Sequence, residues 1–158
     1  MKTRQIAVTA LCLFLLAIAV PTSFASDKTD VADTVKRYLD NLDPAKIQDA
    51  VAMCDTEASI LDEFPPHEWH GPTACADWWK AEQAYNEQSG ITDEDAPLGT
   101  PQTIDVNGDR AYFVAPMTYT YKKHGKPANE SATFTVSLHR TSGGWKITGW
   151  SYSKEKVE

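Results

Sequence analysis

The stretch "ASILDEFPPHEWHGPTACADWWK", residues 58–80, changes from one hydrophobic period to another within a single turn of the chain, and the reading of the fold works outward from it. From Glu57 onward the residues alternate, with Ala58, Ile60, Asp62 and Phe64 on one face and Ser59, Leu61 and Glu63 on the other. That is the pattern of a half-buried strand. Pro65-Pro66 ends it, and Gly71-Pro72 opens a helix in which Ala74, Trp78, Ala81 and Tyr85 recur at i, i+4, i+7 and i+11 before Ser89-Gly90 closes it.

Upstream the period is helical. Val31, Val35, Tyr38 and Leu42 form an amphipathic stripe over 27–42, with Tyr38 on the buried side. Asp43-Pro44 supplies the cap and first-turn proline of a shorter helix carrying Ile47, Ala50 and Val51 to about Cys54. Downstream, Asp93, Glu94 and Asp95 read as a solvated acidic loop, and after it everything is strand. Asn107-Gly108 is a two-residue hairpin turn joining 103–106 to a strand over 110–122, on which Phe113, Ala115, Met117 and Tyr119 share a face. A strand over 130–140 follows, with Ala132, Phe134, Val136 and Leu138 on one face and His139 on the polar other. Ser142-Gly143-Gly144 turns into a last strand over 145–153, whose aromatic face switches across Gly149 and predicts a bulge or bend. Helices first and antiparallel strands afterwards make the class α+β, with helices covering one face of a curved sheet.

The first 25 residues have the form of a signal peptide: Lys2 and Arg4, an uncharged run of 15 residues from Ile6 to Val20, and small residues at Ser23 and Ala25 around a cleavage point. The run falls short of the roughly 20 residues of a membrane span. We therefore expect an exported domain, 26–158, periplasmic or secreted and off the membrane after cleavage. Without Lys2 and Arg4 the chain has 13 basic against 22 acidic residues, a net charge of −9, which argues against nucleic acid as a partner. Cys54 and Cys75 remain after cleavage, expected as near neighbours at the ends of packed helices, either as a disulfide in an oxidising compartment or as two buried thiols.

Taken together and in order, "VKRYLDNLDPAKI", the stretch quoted first, "VNGDRAYFVAPMTYTY" and "SGGWKITGWSYSK" resemble the nuclear transport factor 2-like superfamily in its SnoaL-like and ketosteroid-isomerase-like branch. The resemblance implies a cone-shaped α+β barrel, a curved antiparallel sheet covered by three helices of the N-terminal half. It also implies a cone open at one end to an apolar pocket, and commonly a homodimer through the outer face of the sheet. Tyr38 stands where those isomerases keep a tyrosine that donates to the substrate oxygen, and Asp62 where they keep the aspartate that shuttles the proton. Their second donor, a protonated aspartate, is replaced here by Val136.

The residues themselves agree for Asp62, a carboxylate on an apolar face whose pKa burial should raise toward that of a general base, unless the strand frays and it only caps a turn. His67 and His70 have neither the i, i+4 helical spacing nor the two-residue strand spacing of a metal pair, so neither a metal nor a cofactor is expected. Trp69, on a short edge strand, is expected at the mouth of the cone. With Phe113, Met117, Tyr119, Phe134, Val136 and Trp150 it forms the expected lining of a pocket for a small apolar molecule, although each could be plain core. Two functions stay open at this stage: proton-transfer chemistry of the isomerase or lyase type, and a non-catalytic binding or protein-interaction module.

Overall fold

In the computed structural model, which describes residues 24–155, the expected stripe of the first helix is almost wholly hidden. Helix α1 (Phe24–Asp40) buries Val31, Val35 and Tyr38. Arg140 ties its start to the sheet by an ion pair with Asp27 at 2.6 Å while lying over the Trp145 ring at 4.4 Å. Helix α2 (Ile47–Ala52) is shorter than the sequence suggests, because the Asp43 carboxylate accepts the Ala45 N–H at 2.8 Å and holds a turn ahead of it. Helix α3 (Ala74–Ser89) ends on Gly90 in the left-handed region at φ 65°, the usual glycine stop. Of the expected signal segment, all but its last two residues lie outside the described chain. No helix among the described residues is long and apolar enough to cross a membrane.

The strands are β1 (Cys54–Leu61), β2 (Glu68–His70), β3 (Ile91–Asp95), β4 (Thr103–Asn107), β5 (Arg110–Lys123), β6 (Lys126–Thr141) and β7 (Gly144–Lys154). They form one sheet in the order β2-β1-β7-β6-β5-β3, with β4 also on β5. Strands β5, β6 and β7 are long and paired throughout, from Lys123 opposite Lys126 to Thr141 opposite Gly144. Two features were not anticipated. Strand β1 runs parallel to β7, with Ile60 opposite Trp150 and Leu61 opposite Ser151. The acidic 93–95 segment is also a strand and not a loop: Thr92 and Asp95 pair with Lys122 and Thr120 of β5, and Lys122 meets Asp93 at 2.8 Å. Backbone pairing and charge complementarity outweigh the low strand propensity of three consecutive acids.

The bend expected near Gly149 is a bulge: β6 and β7 pair Ser137 with Gly149 and Leu138 with Ile147, leaving Thr148 over. Here β1 comes so close that a Cβ on Gly149 would stand 2.5 Å from the Ser59 carbonyl oxygen. One end of the cone is solid, filled by Phe113, Ala115, Val136, Leu138 and Ile147. Cys54 and Cys75 form a disulfide across a separation of 21 residues and fix the start of α3 to the start of β1.

Two outcomes follow for stability. Gly149→Ala should lower it by roughly 1–3 kcal/mol, the usual cost of forcing atoms into a packed site, whereas Gly143→Ala, in open space save for the Thr141 hydroxyl at 3.8 Å, should change it little. Denaturant unfolding before and after reduction should show a loss of about 3 kcal/mol for a loop of this length in the chain-entropy account. Equal midpoints in the two states would show that the bridge adds nothing.

Candidate functional site

The other end of the cone is hollow. Beyond the bulge the inward positions of the three long strands no longer meet: Met117, Tyr119, Tyr121 and Lys123 of β5, Glu130 and Phe134 of β6, and Trp150, Tyr152 and Lys154 of β7 surround a cavity of about 260 Å³. Helix α1 adds Tyr38, Leu39 and Leu42, helix α3 adds Trp78, Glu82, Tyr85 and Asn86, and the chain just past β1 adds Asp62, Glu63 and Phe64. About 150 Å³ of apolar space suffices for one benzene ring, so a compact molecule of one or two rings fits.

Tyr38 and Asp62 thus converge on one space, each held by a tryptophan. The Trp150 indole donates from Nε1 to the Tyr38 hydroxyl oxygen at 3.0 Å. An indole only donates, so the hydroxyl accepts that bond, and its own proton has no acceptor among the described residues. The Trp78 indole donates from Nε1 to Asp62 Oδ2 at 2.8 Å, and the Glu63 backbone N–H donates to Oδ1 at 2.7 Å. The two indoles meet edge to face with centroids 4.7 Å apart, so the donors position one another. Burial raises the Asp62 pKa above the ordinary carboxylate value, and the Trp78 bond offsets only part of the rise. The Asp62 N–H donates to the His67 carbonyl at 3.0 Å, continuing the β1 ladder by one residue, so the strand does not fray before it. Burial likewise raises the pKa of Tyr38, which stays protonated.

Of the expected lining, Met117, Tyr119, Phe134 and Trp150 face the cavity, and Trp69, Phe113 and Val136 do not. Val136 pairs with Phe113 on β5 and with Trp150 on β7, but neither Val136 nor Phe113 borders this cavity: Val136 is wholly buried, and Phe113 faces an adjoining cleft with Leu39, Leu42 and Glu82. Trp69 packs behind Phe64 with the rings tilted and their centroids 5.2 Å apart, and Phe64 is the residue that reaches the cavity. The two histidines are held locally: His70 by Ser59 and Glu68 at 3.0 and 3.2 Å, and His67 by the Asp62 carbonyl at 3.2 Å. His139 lies between Asp55 and Asp109 on the sheet surface, 3.4 Å from each.

The sequence reading missed Glu82. It stands one helical turn beyond Trp78 and one before Asn86 on α3, a polar continuation of the buried face that the Ala81 and Tyr85 stripe passed over. Burial first, and then the nearby charge of Glu94, push its pKa up to about 8. Glu94 itself, from the segment expected to be merely solvated, accepts from both buried Asn86 and Tyr119 at 2.8 and 2.6 Å. Tyr121 and Tyr152, which continue the period-two face of their strands, donate to Glu130 at 2.7 and 3.4 Å. Lys154 meets that carboxylate at 2.6 Å and holds it in the ionised form against burial.

The sequence model for the SnoaL-like domain matches residues 23–151. Among solved structures the chain is similar to an NTF2-like protein with a cystatin-like fold from Novosphingobium aromaticivorans, at 15% identity and a TM-score of 0.69, over 90% of this chain and 94% of that one. It is also similar to a nuclear transport factor 2-like superfamily protein from Salmonella enterica serovar Typhimurium, at 19% identity and 0.66 over 85% and 95% of the two chains. A third similar structure is a ketosteroid isomerase-like protein from Erwinia carotovora atroseptica, at 14% identity and 0.66 over 85% and 100%. At these identities the likeness is one of fold. No curated protein matches the sequence significantly.

Glu82 gives this site a signature in stability. Its folded pKa of about 8 lies above its ordinary value of 4.5, so the folded state holds the proton more tightly and the chain loses stability as pH rises through that window. Glu82→Gln removes the loss. From about pH 5 to about pH 8 the variant should gain on the parent by up to a few kcal/mol, at about 1.4 kcal/mol per unit of displacement. A difference that stays flat with pH, measured by chemical unfolding, would place Glu82 in water.

Proposed function

The chain belongs to the SnoaL-like domain family, and from that premise we propose that it is an exported protein that takes a small, largely apolar carbonyl compound into its cavity and moves a proton on it. The step is of the isomerase or lyase type. One observation carries the reading: a hydroxyl proton with no acceptor among the described residues, on Tyr38, and a carboxylate of raised pKa, on Asp62, share one cavity. Asp62 takes the proton from the carbon next to the carbonyl, and the Tyr38 hydroxyl donates to the oxygen on which the enolate charge develops. The proton then returns from Asp62 to the same or a conjugated carbon, so the carboxylate ends as it began. In the same reading the protein works as a homodimer in the periplasm or outside the cell, with no metal or cofactor.

The position of Val136 favours a second reading, a binding module without turnover. The resemblance implies a second oxyanion donor there, and the residue is apolar, fully buried and off the cavity. Loss of one such donor commonly costs about two to three orders of magnitude in rate.

Hydrogen–deuterium exchange next to the carbonyl of 2-tetralone, followed by NMR in D2O, separates the two. Acceleration by the parent chain, reduced roughly 10²–10⁴-fold in Asp62→Asn and roughly 10²–10³-fold in Tyr38→Phe, is the expected result. Binding without acceleration would establish the module instead. Between those results, the rate should rise with pH through the folded Asp62 pKa, since only the ionised carboxylate accepts a proton.

A further inference from the structure

The cavity wall is built for more than an apolar guest. Toward its rim stand Tyr119, Tyr121 and Tyr152, the first two stacked with centroids 4.9 Å apart and the third edge-on to Tyr119 at 6.4 Å. All three hydroxyls donate to carboxylates, Tyr119 to Glu94 and the other two to Glu130. Those bonds use up the phenolic protons and fix the rings, so what the tyrosines offer a guest is the negative face of a π system, enriched by donation to an anion. Such faces attract cations.

The wall's charges ask for the same partner. Its four carboxylates, Asp62, Glu63, Glu82 and Glu130, outnumber its two lysines: Lys154 is paired with Glu130, Lys123 is exposed at the edge, and the ion pairs among the described residues include none of Asp62, Glu63 and Glu82. Carboxylates withdrawn from water without a counter-charge are costly in a folded protein. Glu82 meets that cost by keeping a proton past neutrality, a role that a positively charged guest would take over.

We propose that the cavity receives a small organic cation, an amine or quaternary ammonium on an apolar body, its nitrogen against Tyr119, Tyr121 and Tyr152 and its counter-charge supplied by Glu82 and Asp62. This deepens the proposed function and rests on it: the cavity is the ligand site, the apolar body lies among Trp78, Phe134 and Trp150, and a carbonyl on that body reaches Tyr38. A cation at the rim would also stabilise an enolate formed beneath it.

Trp78 and Trp150 line the cavity, so their fluorescence reports occupancy. Phenyltrimethylammonium and its neutral isostere tert-butylbenzene are titrated separately into the intact chain at neutral pH. The expected result is that the cation binds at least roughly tenfold more tightly, in keeping with a desolvated cation–π contact. That ratio should shrink toward one in Glu82→Gln and in Tyr121→Leu. Taking the ratio within each variant removes any general loss of folding. Equal affinities, or tighter binding of tert-butylbenzene, overturn the cation inference while leaving the cavity reading intact. Binding of neither probe overturns both. A ratio unchanged in the two variants overturns the assignment of ring and counter-charge.

Discussion

The close parallel pairing of β1 with β7 at Gly149 is the constraint on which the rest of the molecule depends. With no side chain at that position, the Ser59 carbonyl can approach to a distance that any Cβ would forbid, and the register then sets Ile60 beside Trp150 and Leu61 beside Ser151. One residue further, Asp62 arrives at the cavity wall at the level of Tyr152. The bulge at Thr148 has the second consequence of turning the aromatic face of β7, so that Trp145 and Ile147 serve the solid end and Trp150 and Tyr152 the hollow one. A glycine and one extra residue therefore divide the sheet into a core and a container.

Within the container, order comes from pairs of unlike groups. Each tryptophan gives its single N–H to one polar group, Trp150 to Tyr38 and Trp78 to Asp62, and the edge-to-face contact of the two indoles links both arrangements. The disulfide sits only three residues before Trp78 and joins α3 to the strand that carries Asp62. The carboxylate and its indole donor are thus held by the same covalent frame, which keeps a raised pKa and a fixed direction together in one side chain.

What could be read from the sequence was what local periodicity encodes. The helices of Val31 and Trp78, the hairpin at Asn107-Gly108, the inward face from Phe113 to Tyr119 and the irregularity at Gly149 each follow from spacing within about ten residues. Asp62 was legible because alternation put a carboxylate among apolar neighbours, and Tyr38 because the first stripe and the family resemblance agree. The parallel pairing of β1, by contrast, is a meeting of segments some ninety positions apart. Strand β3 was missed because its acids lack strand propensity and its order comes from Lys122 and β5. The hollow end was assigned too widely, taking in Phe113 and Val136, because alternation gives the inward face of a strand but not the depth at which opposing faces cease to touch. Glu82 was missed because a helix face with Ala81 and Tyr85 in it looks complete without it.

A cone filled at one end and empty at the other keeps two kinds of selection apart. Residues such as Phe113, Val136, Leu138 and Ile147 carry the burial that makes the chain fold, and none of them borders the cavity. Tyr38, Trp78, Phe134 and Trp150 belong both to the core and to the cavity wall. Tyr119 and Tyr121 at the rim lie outside the buried core, so the rim can exchange one ring for another at less cost to folding than the floor. Lineages descended from such a chain would be expected to diverge first in what they hold and last in how they stand. That is a route by which one scaffold comes to serve many small molecules at identities as low as those that join this chain to its structural relatives.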